Sequence, residues 1–154
     1  MDNFDIPAHW NTVYENKPTE TLGWYETDLK PSLSLIEKCN LEHDARILNI
    51  GAGTTTLIEE LINGGYKNLL ATDISKKALE LLSERVGADN IDVITDDLTS
   101  PNSLTEIEPV DLWFDRAVLH FLTKEEERRS YFELLKHKVK SGGFVVLAQF
   151  AKGG

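Results

Sequence analysis

Ile47-Leu48-Asn49-Ile50-Gly51-Ala52-Gly53-Thr54 is the most informative stretch of this 154-residue sequence. The apolar run at residues 45–50 predicts a short buried strand that ends at Gly51, since glycine turns with backbone dihedrals that other residues avoid. Apolar residues then recur with helical spacing over 56–63, and a glycine pair follows. Strand, glycine turn and helix in this order predict the first half of a βαβ unit.

The alternation continues along the rest of the chain. Apolar runs predict strands at 68–72, 91–94, 110–114 and 144–150, and helical spacing predicts helices at 75–86, 117–122 and 124–139, with a turn at 141–143. Alternating strands and helices predict a parallel sheet covered on both faces. Ligands of such sheets bind beyond the carboxyl ends of the strands, so the loops there are the places to seek function.

Composition and charge exclude several classes of protein. Sixteen Lys+Arg against 26 Asp+Glu give a net charge of -10, which argues against nucleic-acid binding because that binding depends on phosphate neutralisation. No apolar run approaches the roughly 20 residues that span a bilayer, and the acidic start does not resemble a signal peptide. The single cysteine, Cys39, forms no intrachain disulfide, which favours the cytoplasm. No His/Cys/Asp cluster has metal-ligand spacing, so we expect no metal.

The first two loops contain candidate ligand-binding residues. Gly51 and Gly53 allow a ligand close to the backbone, although a plain turn with a threonine helix cap explains them equally well. Asp73 lies 20 positions beyond Gly53, at the end of the next strand, where a carboxylate accepts both ribose hydroxyls. The alternative is that Asp73 or Ser75 only caps the following helix.

The third loop completes a possible adenosine site. The carboxylate of Asp97 can accept from the adenine amine, while the Leu98 N–H meets a ring nitrogen; a solvated acidic turn is the alternative. A dinucleotide fingerprint needs a third glycine at position 56, where Thr56 stands. This departure disfavours NAD or FAD and favours an adenosine ligand without a pyrophosphate.

Four motifs in this order resemble those of class I S-adenosylmethionine-dependent methyltransferases: residues 47–54, 71–79, 96–98 and 111–122. The resemblance implies an α/β fold, a Rossmann-like three-layer sandwich with a mostly parallel sheet of about five strands that lacks the usual C-terminal strands six and seven. It implies a single domain, 1–154, with an aromatic helical lid segment at 1–40 and a core at 41–154. Two positions depart from the family pattern. Thr55 replaces the usual third glycine, and Asn49 stands where many relatives have Asp or Glu, although its amide can still orient the loop.

The resemblance also implies S-adenosylmethionine as cofactor and S-adenosylhomocysteine as product. The implied cofactor-binding residues hold the methionine part, the ribose and the adenine, with a tryptophan in the lid: Gly51, Ala52, Gly53, Asp73, Ile74, Asp97, Leu98, Asp115, Arg116 and Trp24.

Asp115 and His120 are the candidate catalytic residues, because both follow the fourth strand. Asp115 can orient the cofactor or the acceptor, or it can cap a helix or pair with Arg116. His120 can act as a base, but its neighbours Leu119 and Phe121 favour a packed structural histidine.

The expected function is methyl transfer to a small molecule or a protein side chain. The alternative is a non-catalytic domain that binds S-adenosylmethionine or S-adenosylhomocysteine as a sensor or partner subunit. The apolar strand at 144–150 is expected at the sheet edge, where a second copy of the chain, the N-terminal segment or a crystal neighbour covers it.

Overall fold

The computed structural model describes residues 30–52, 56–116 and 122–148, which form four α-helices and five β-strands. Their bounds in chain order are α1 Lys30–Lys38, β1 Arg46–Ile50, α2 Leu57–Asn63, β2 Asn68–Asp73, α3 Lys76–Val86, β3 Asp92–Thr95, β4 Val110–Arg116, α4 Glu125–Lys138 and β5 Val139–Ala148. Two short 3-10 turns occur at Ala88–Asn90 and Ser103–Glu106.

The five strands form one parallel sheet in the order β3-β2-β1-β4-β5. From β1 the chain adds β2 and β3 on one side, and then crosses to the other side for β4 and β5. The strand order therefore reverses between β1 and β4, and the crevice beyond their carboxyl ends is the expected ligand site of such a sheet. The predicted parallel α/β sheet of five strands is confirmed.

Helices cover both faces of the sheet, as the nearly continuous burial of the central strands β1 and β2 requires. One core cluster joins Ile47 of β1 to apolar residues of α1, α2 and α3. The other joins Leu48 and Ile50 to Trp113 of β4 and Tyr131 of α4. Alternate β1 side chains thus enter different layers, which gives the predicted three-layer arrangement.

The predicted turn at 141–143 is the main correction to the element bounds. The structure places these residues inside β5, which begins at Val139 directly after α4. The pairing passes from Val110–Val139 to Leu112–Phe144, so the intervening residues bulge out of the ladder. Gly142 has φ +83°, a conformation that glycine adopts without strain. Residues 1–29 of the predicted lid segment at 1–40 lie outside the described residues, and the rest of that segment contains α1. The predicted helix at 117–122 also lies outside them, except for Leu122, which is not helical.

Candidate functional site

The strand register brings the predicted loops to one edge of the sheet. Ile50, the last residue of β1, pairs with Thr72 of β2 and Asp115 of β4. Asp73 pairs with Thr95 at the end of β3. The loops after β1, β2 and β3 and the end of β4 therefore lie side by side, as the sequence predicted.

The turn after β1 is fastened to the neighbouring strand. Gly51 has φ +63°, which explains the glycine at this position. Ala52 donates its backbone N–H to the Thr72 carbonyl at 3.0 Å, and its side chain is buried in the core cluster. Gly53 lies outside the described residues. The turn is thus held at a fixed position over the end of β1.

Asp73 and Ser75 have different structural roles at the end of β2. Ser75 is the N-cap of α3, since its Oγ accepts the Ala78 N–H at 3.1 Å. Asp73 is half-buried, and its Oδ1 accepts the Ser75 N–H at 2.9 Å. The capping alternative therefore applies to Ser75, while Asp73 braces the turn before the helix. Ile74 is half-buried beside it.

Asp96 organises the loop after β3, a role that sequence reasoning missed. Its carboxylate accepts the N–H groups of Asp97 and Leu104, each at 2.8 Å, and that of Asn102 at 2.9 Å. Its own N–H donates to the Asp73 carbonyl at 3.1 Å, which ties this loop to β2. A pair of adjacent aspartates was the only signal in the sequence, and it does not tell which of the two turns inward.

Asp97 and Leu98 remain at the edge of the site. Oδ1 of Asp97 accepts both the N–H and the hydroxyl of Thr99, at 2.9 and 2.6 Å. The Leu98 side chain packs against the cluster that contains Trp113, and its carbonyl accepts the Ser130 hydroxyl at 3.0 Å. Within the described residues, no group accepts the Leu98 N–H, so this donor and the Asp97 carboxylate suit the edge of a base.

Asp115 is fully buried in β4 and accepts a hydrogen bond from Tyr131 of α4, Oη to Oδ2, at 2.5 Å. The Tyr131 oxygen in turn accepts from Trp113 Nε1 at 3.0 Å. Burial raises the pKa of the Tyr131 hydroxyl, and the nearby charge of Asp115 raises it further, so the hydroxyl stays protonated and donates. Tyr131 was not anticipated, although a buried carboxylate requires such a donor.

Several predicted residues are not described. Trp24, His120 and the Arg116 side chain lie outside the described part of the chain. Cys39 is described and buried, and burial raises the pKa of its thiol, which makes it a poor nucleophile. Across residues 30–52, 56–116 and 122–148, no cluster of His, Cys, Asp and Glu is arranged to hold a metal.

Asn49 is the most unusual polar residue near the turn. It is only 3% exposed, and its Nδ2 has no hydrogen-bond partner among the residues that the structure describes. The edge as a whole thus offers two half-buried carboxylates, an unused N–H and a buried amide donor. This set fits an adenosine joined to an amino-acid group better than a dinucleotide, which needs a phosphate-binding turn.

Comparison with known proteins matches the part of the chain that contains these strands and loops. A family model described as "Methyltransferase domain" matches residues 47–143. A protein named EEF1A lysine methyltransferase 2, from Danio rerio, is 28% identical over 133 residues, covering 80% of this chain and 56% of that protein. The Homo sapiens protein of the same name is 24% identical over 155 residues, covering 90% of this chain and 65% of its own length.

The fold is also found among solved structures. An S-adenosylmethionine-dependent methyltransferase from Clostridium acetobutylicum superposes with a TM-score of 0.65 at 23% identity, covering 89% of this chain and 55% of that one. The chain thus spans between about half and two thirds of the length of these relatives. In the described residues, no helix is long and apolar enough to cross a membrane.

Proposed function

Since this chain belongs to the class I S-adenosylmethionine-dependent methyltransferase family, we propose that it transfers a methyl group from S-adenosylmethionine to an amine of a protein side chain. One observation carries the proposal: Gly51, Asp73 and Asp97 lie along the carboxyl edge of the sheet, next to the reversal of strand order. This is the place where parallel α/β sheets bind their ligands.

The proposed cofactor contacts follow from the chemistry of the edge. Asp73 accepts the ribose hydroxyls, Asp97 and the Leu98 N–H contact the adenine edge, and Ile74 packs on its face. The Gly51 turn leaves room for the methionine part, together with the backbone at Ala52 and Gly53, while Trp24 and Arg116 complete the proposed contacts. When bound, S-adenosylmethionine supplies a sulfonium methyl group that an attacking lone pair displaces in line.

A lysine side chain is the proposed acceptor. The relatives from Danio rerio and Homo sapiens are named as lysine methyltransferases of EEF1A. The net charge of -10 also attracts a basic protein surface and repels nucleic acid. We propose the cytoplasm as the site of action, because the single cysteine is a free, buried thiol.

A lysine amine must lose a proton before it attacks, because its ordinary pKa is about 10.4. His120 is the proposed base, and Asp115 the proposed orienting group for the acceptor or the cofactor ammonium. The buried hydrogen bond from Tyr131 favours an orienting role for Asp115, since it keeps the carboxylate in one position. Catalysis then depends on aligning the lysine amine with the methyl group of the cofactor and on excluding water from the site.

Labelled methyl transfer tests the proposal. The purified protein is incubated with S-adenosylmethionine carrying a tritiated methyl group and with an EEF1A elongation factor, and the labelled residue is identified by mass spectrometry. We expect label on lysine, and about tenfold or greater loss of transfer in Asp73→Ala at limiting cofactor. Glu80→Ala, an exposed acidic change on α3, serves as the matched control. Tight cofactor binding without transfer to any protein or small amine would instead support the non-catalytic alternative.

A further inference from the structure

Ser130 lies on α4, and its hydroxyl forms a hydrogen bond outside its own helix. A serine inside a helix commonly points to solvent or donates to the carbonyl four residues earlier. Ser130 instead donates its Oγ–H to the Leu98 carbonyl at 3.0 Å, across 32 positions of sequence. Because a hydrogen bond is directional, this contact joins α4 to the loop after β3 in one orientation.

The peptide group between Leu98 and Thr99 transmits that orientation to Asp97. A peptide group is planar, so its C=O and its N–H keep a fixed relation. The Ser130 hydroxyl holds the carbonyl of this group, and the N–H, which belongs to Thr99, donates to Asp97 Oδ1 at 2.9 Å. The Thr99 hydroxyl donates to the same oxygen at 2.6 Å. The position of the Asp97 carboxylate therefore depends on the bond from Ser130.

The loop has few other attachments that could fix this peptide group. The Asp97 N–H donates to the carboxylate of Asp96, which belongs to the same loop. Among the described residues, Ser130 makes the one hydrogen bond that joins residues 97–99 to a helix or strand. The Leu98 side chain packs against the core, but apolar packing is not directional and leaves the peptide plane free to turn.

The unused polar atoms of this loop form an acceptor and a donor side by side. Both bonds from Thr99 end on Oδ1, so Asp97 Oδ2 and the Leu98 N–H have no partner within the described residues. Both residues are half-buried, so a ligand can reach them. Adenine presents an amine beside a ring nitrogen that accepts, whereas a 6-oxopurine presents a carbonyl beside a ring N–H. The loop therefore matches the first pattern and opposes the second.

We propose that Ser130 is a positioning residue that holds Asp97 Oδ2 beside the Leu98 N–H, and thereby sets a preference for a 6-aminopurine over a 6-oxopurine. The proposal rests on the proposed function and deepens it, since it names a residue outside the binding loop on which recognition of the base depends. Ser130 acts through the loop, because its hydroxyl is already donated to the Leu98 carbonyl.

Calorimetry with two ligands tests the proposal. S-adenosylhomocysteine carries the purine amine, and S-inosylhomocysteine carries a carbonyl at the same position. The wild type should bind the first at least about tenfold more tightly. In Ser130→Ala this preference should fall about fivefold, mainly through weaker binding of S-adenosylhomocysteine. Ser130→Thr keeps a hydroxyl and should restore the preference.

A second serine provides the matched control. Ser83 lies on α3 with similar partial exposure, and its hydroxyl makes no hydrogen bond within the described residues. Ser83→Ala should therefore leave both affinities unchanged. Alanine favours helices, so both alanine variants should keep the circular dichroism spectrum of the wild type.

Equal weakening of both ligands by Ser130→Ala would mean that Ser130 only supports the fold, and the proposed role would be wrong. An unchanged preference in Ser130→Ala, or no recovery in Ser130→Thr, would also overturn it. A wild type that binds both ligands equally would exclude this role and leave cofactor binding in place. A wild type that binds neither ligand would overturn the proposed function itself.

Discussion

Tyr131 uses one oxygen for two buried hydrogen bonds, and both of them hold side chains near the end of β4 in place. The oxygen donates to Asp115 and accepts from Trp113, while the Trp113 and Tyr131 rings meet edge to face with centroids 5.5 Å apart. All three side chains are fully buried. Loss of the hydroxyl would remove one hydrogen bond from the buried carboxylate and would take the acceptor of the Trp113 N–H, and such losses inside a core are destabilising.

Tyr131→Phe should therefore lower the free energy of unfolding by about 1–3 kcal/mol, the cost of a buried donor that loses its acceptor, here the Trp113 N–H. Urea denaturation followed by circular dichroism measures the change. Tyr66→Phe is the matched control, because the Tyr66 hydroxyl makes no hydrogen bond within the described residues; its effect should stay within about 0.5 kcal/mol. Similar stabilities for the two variants would contradict the importance of the Tyr131 network.

The same hydroxyl predicts a pH dependence. Burial, and then Asp115, raise the pKa of Tyr131 in the folded protein above its ordinary value, so the unfolded chain loses this proton first. The stabilisation that this raised pKa contributes is complete below about pH 10. It falls as pH rises further, because the folded state then holds more protons than the unfolded chain. Above about pH 10 the wild type should lose up to about 1.4 kcal/mol per pH unit more than Tyr131→Phe. Parallel pH profiles of the two proteins would contradict this assignment.

At the scale of elements, the loop after β3 divides its work between two adjacent aspartates. The Asp96 carboxylate holds the N–H groups of Asp97, Asn102 and Leu104, whereas the Asp97 carboxylate, within the described residues, accepts hydrogen bonds only from Thr99. Asp96 thus builds the loop, and Asp97 lies at its edge, where we propose that it contacts the adenine.

The two carboxylates should therefore respond differently to substitution. Asp96→Ala should lower the melting temperature by several degrees, because three backbone N–H groups lose their acceptor. Asp97→Asn should keep the melting temperature and weaken S-adenosylhomocysteine binding about tenfold, since the change puts an amide where a charged acceptor stood. Thermal unfolding of both variants measures their stability, and calorimetry measures their affinity for S-adenosylhomocysteine. Stable Asp96→Ala with full affinity would show that the loop does not need this carboxylate.

The elements were largely predictable from the sequence, and the contacts between them were not. Continuous apolar runs identified the strands, and Asp73 and Asp97 stood out because they lie at or just beyond the carboxyl ends of strands. The bond between Tyr131 and Asp115 joins residues 16 positions apart and depends on how α4 is rotated against the sheet. The missing partner of Asn49 is visible only after its neighbours are packed. The Ser-Gly-Gly segment at 141–143 suggested a turn, but pairing with β4 continues through it as a bulge.

At the scale of the whole molecule, the edge of the sheet formed by β5 is apolar. Within the described residues β5 pairs only with β4, and its Phe144, Val145 and Leu147 are each at least 40% exposed. Residues 141–149 contain no charged side chain, in a chain with net charge -10. Beyond Lys140, which pairs with Asp111, the edge strand is uncharged and apolar, and such an edge favours pairing with another strand.

The homodimer expected from the sequence is proposed to form through this edge, with a second copy as the partner because no acidic side chain opposes contact there. Sedimentation should detect dimers, more of them as salt screens the net charge. Val145→Lys should abolish them, and Val93→Lys on the opposite edge strand, where Val93 is also 40% exposed, is the matched control. A wild type that remains monomeric at every salt and protein concentration would exclude this dimer.

The reversal of strand order between β1 and β4 has an evolutionary consequence. All the groups proposed to hold the nucleoside belong to the half of the sheet built from β1 to β3, whereas β4 and β5 form the other half. Substitutions in the β4 and β5 half can therefore change which acceptor fits, while the proposed contacts to the nucleoside on the β1 to β3 half stay the same. New acceptor specificities can then arise in this fold while the residues proposed to bind the nucleoside remain unchanged.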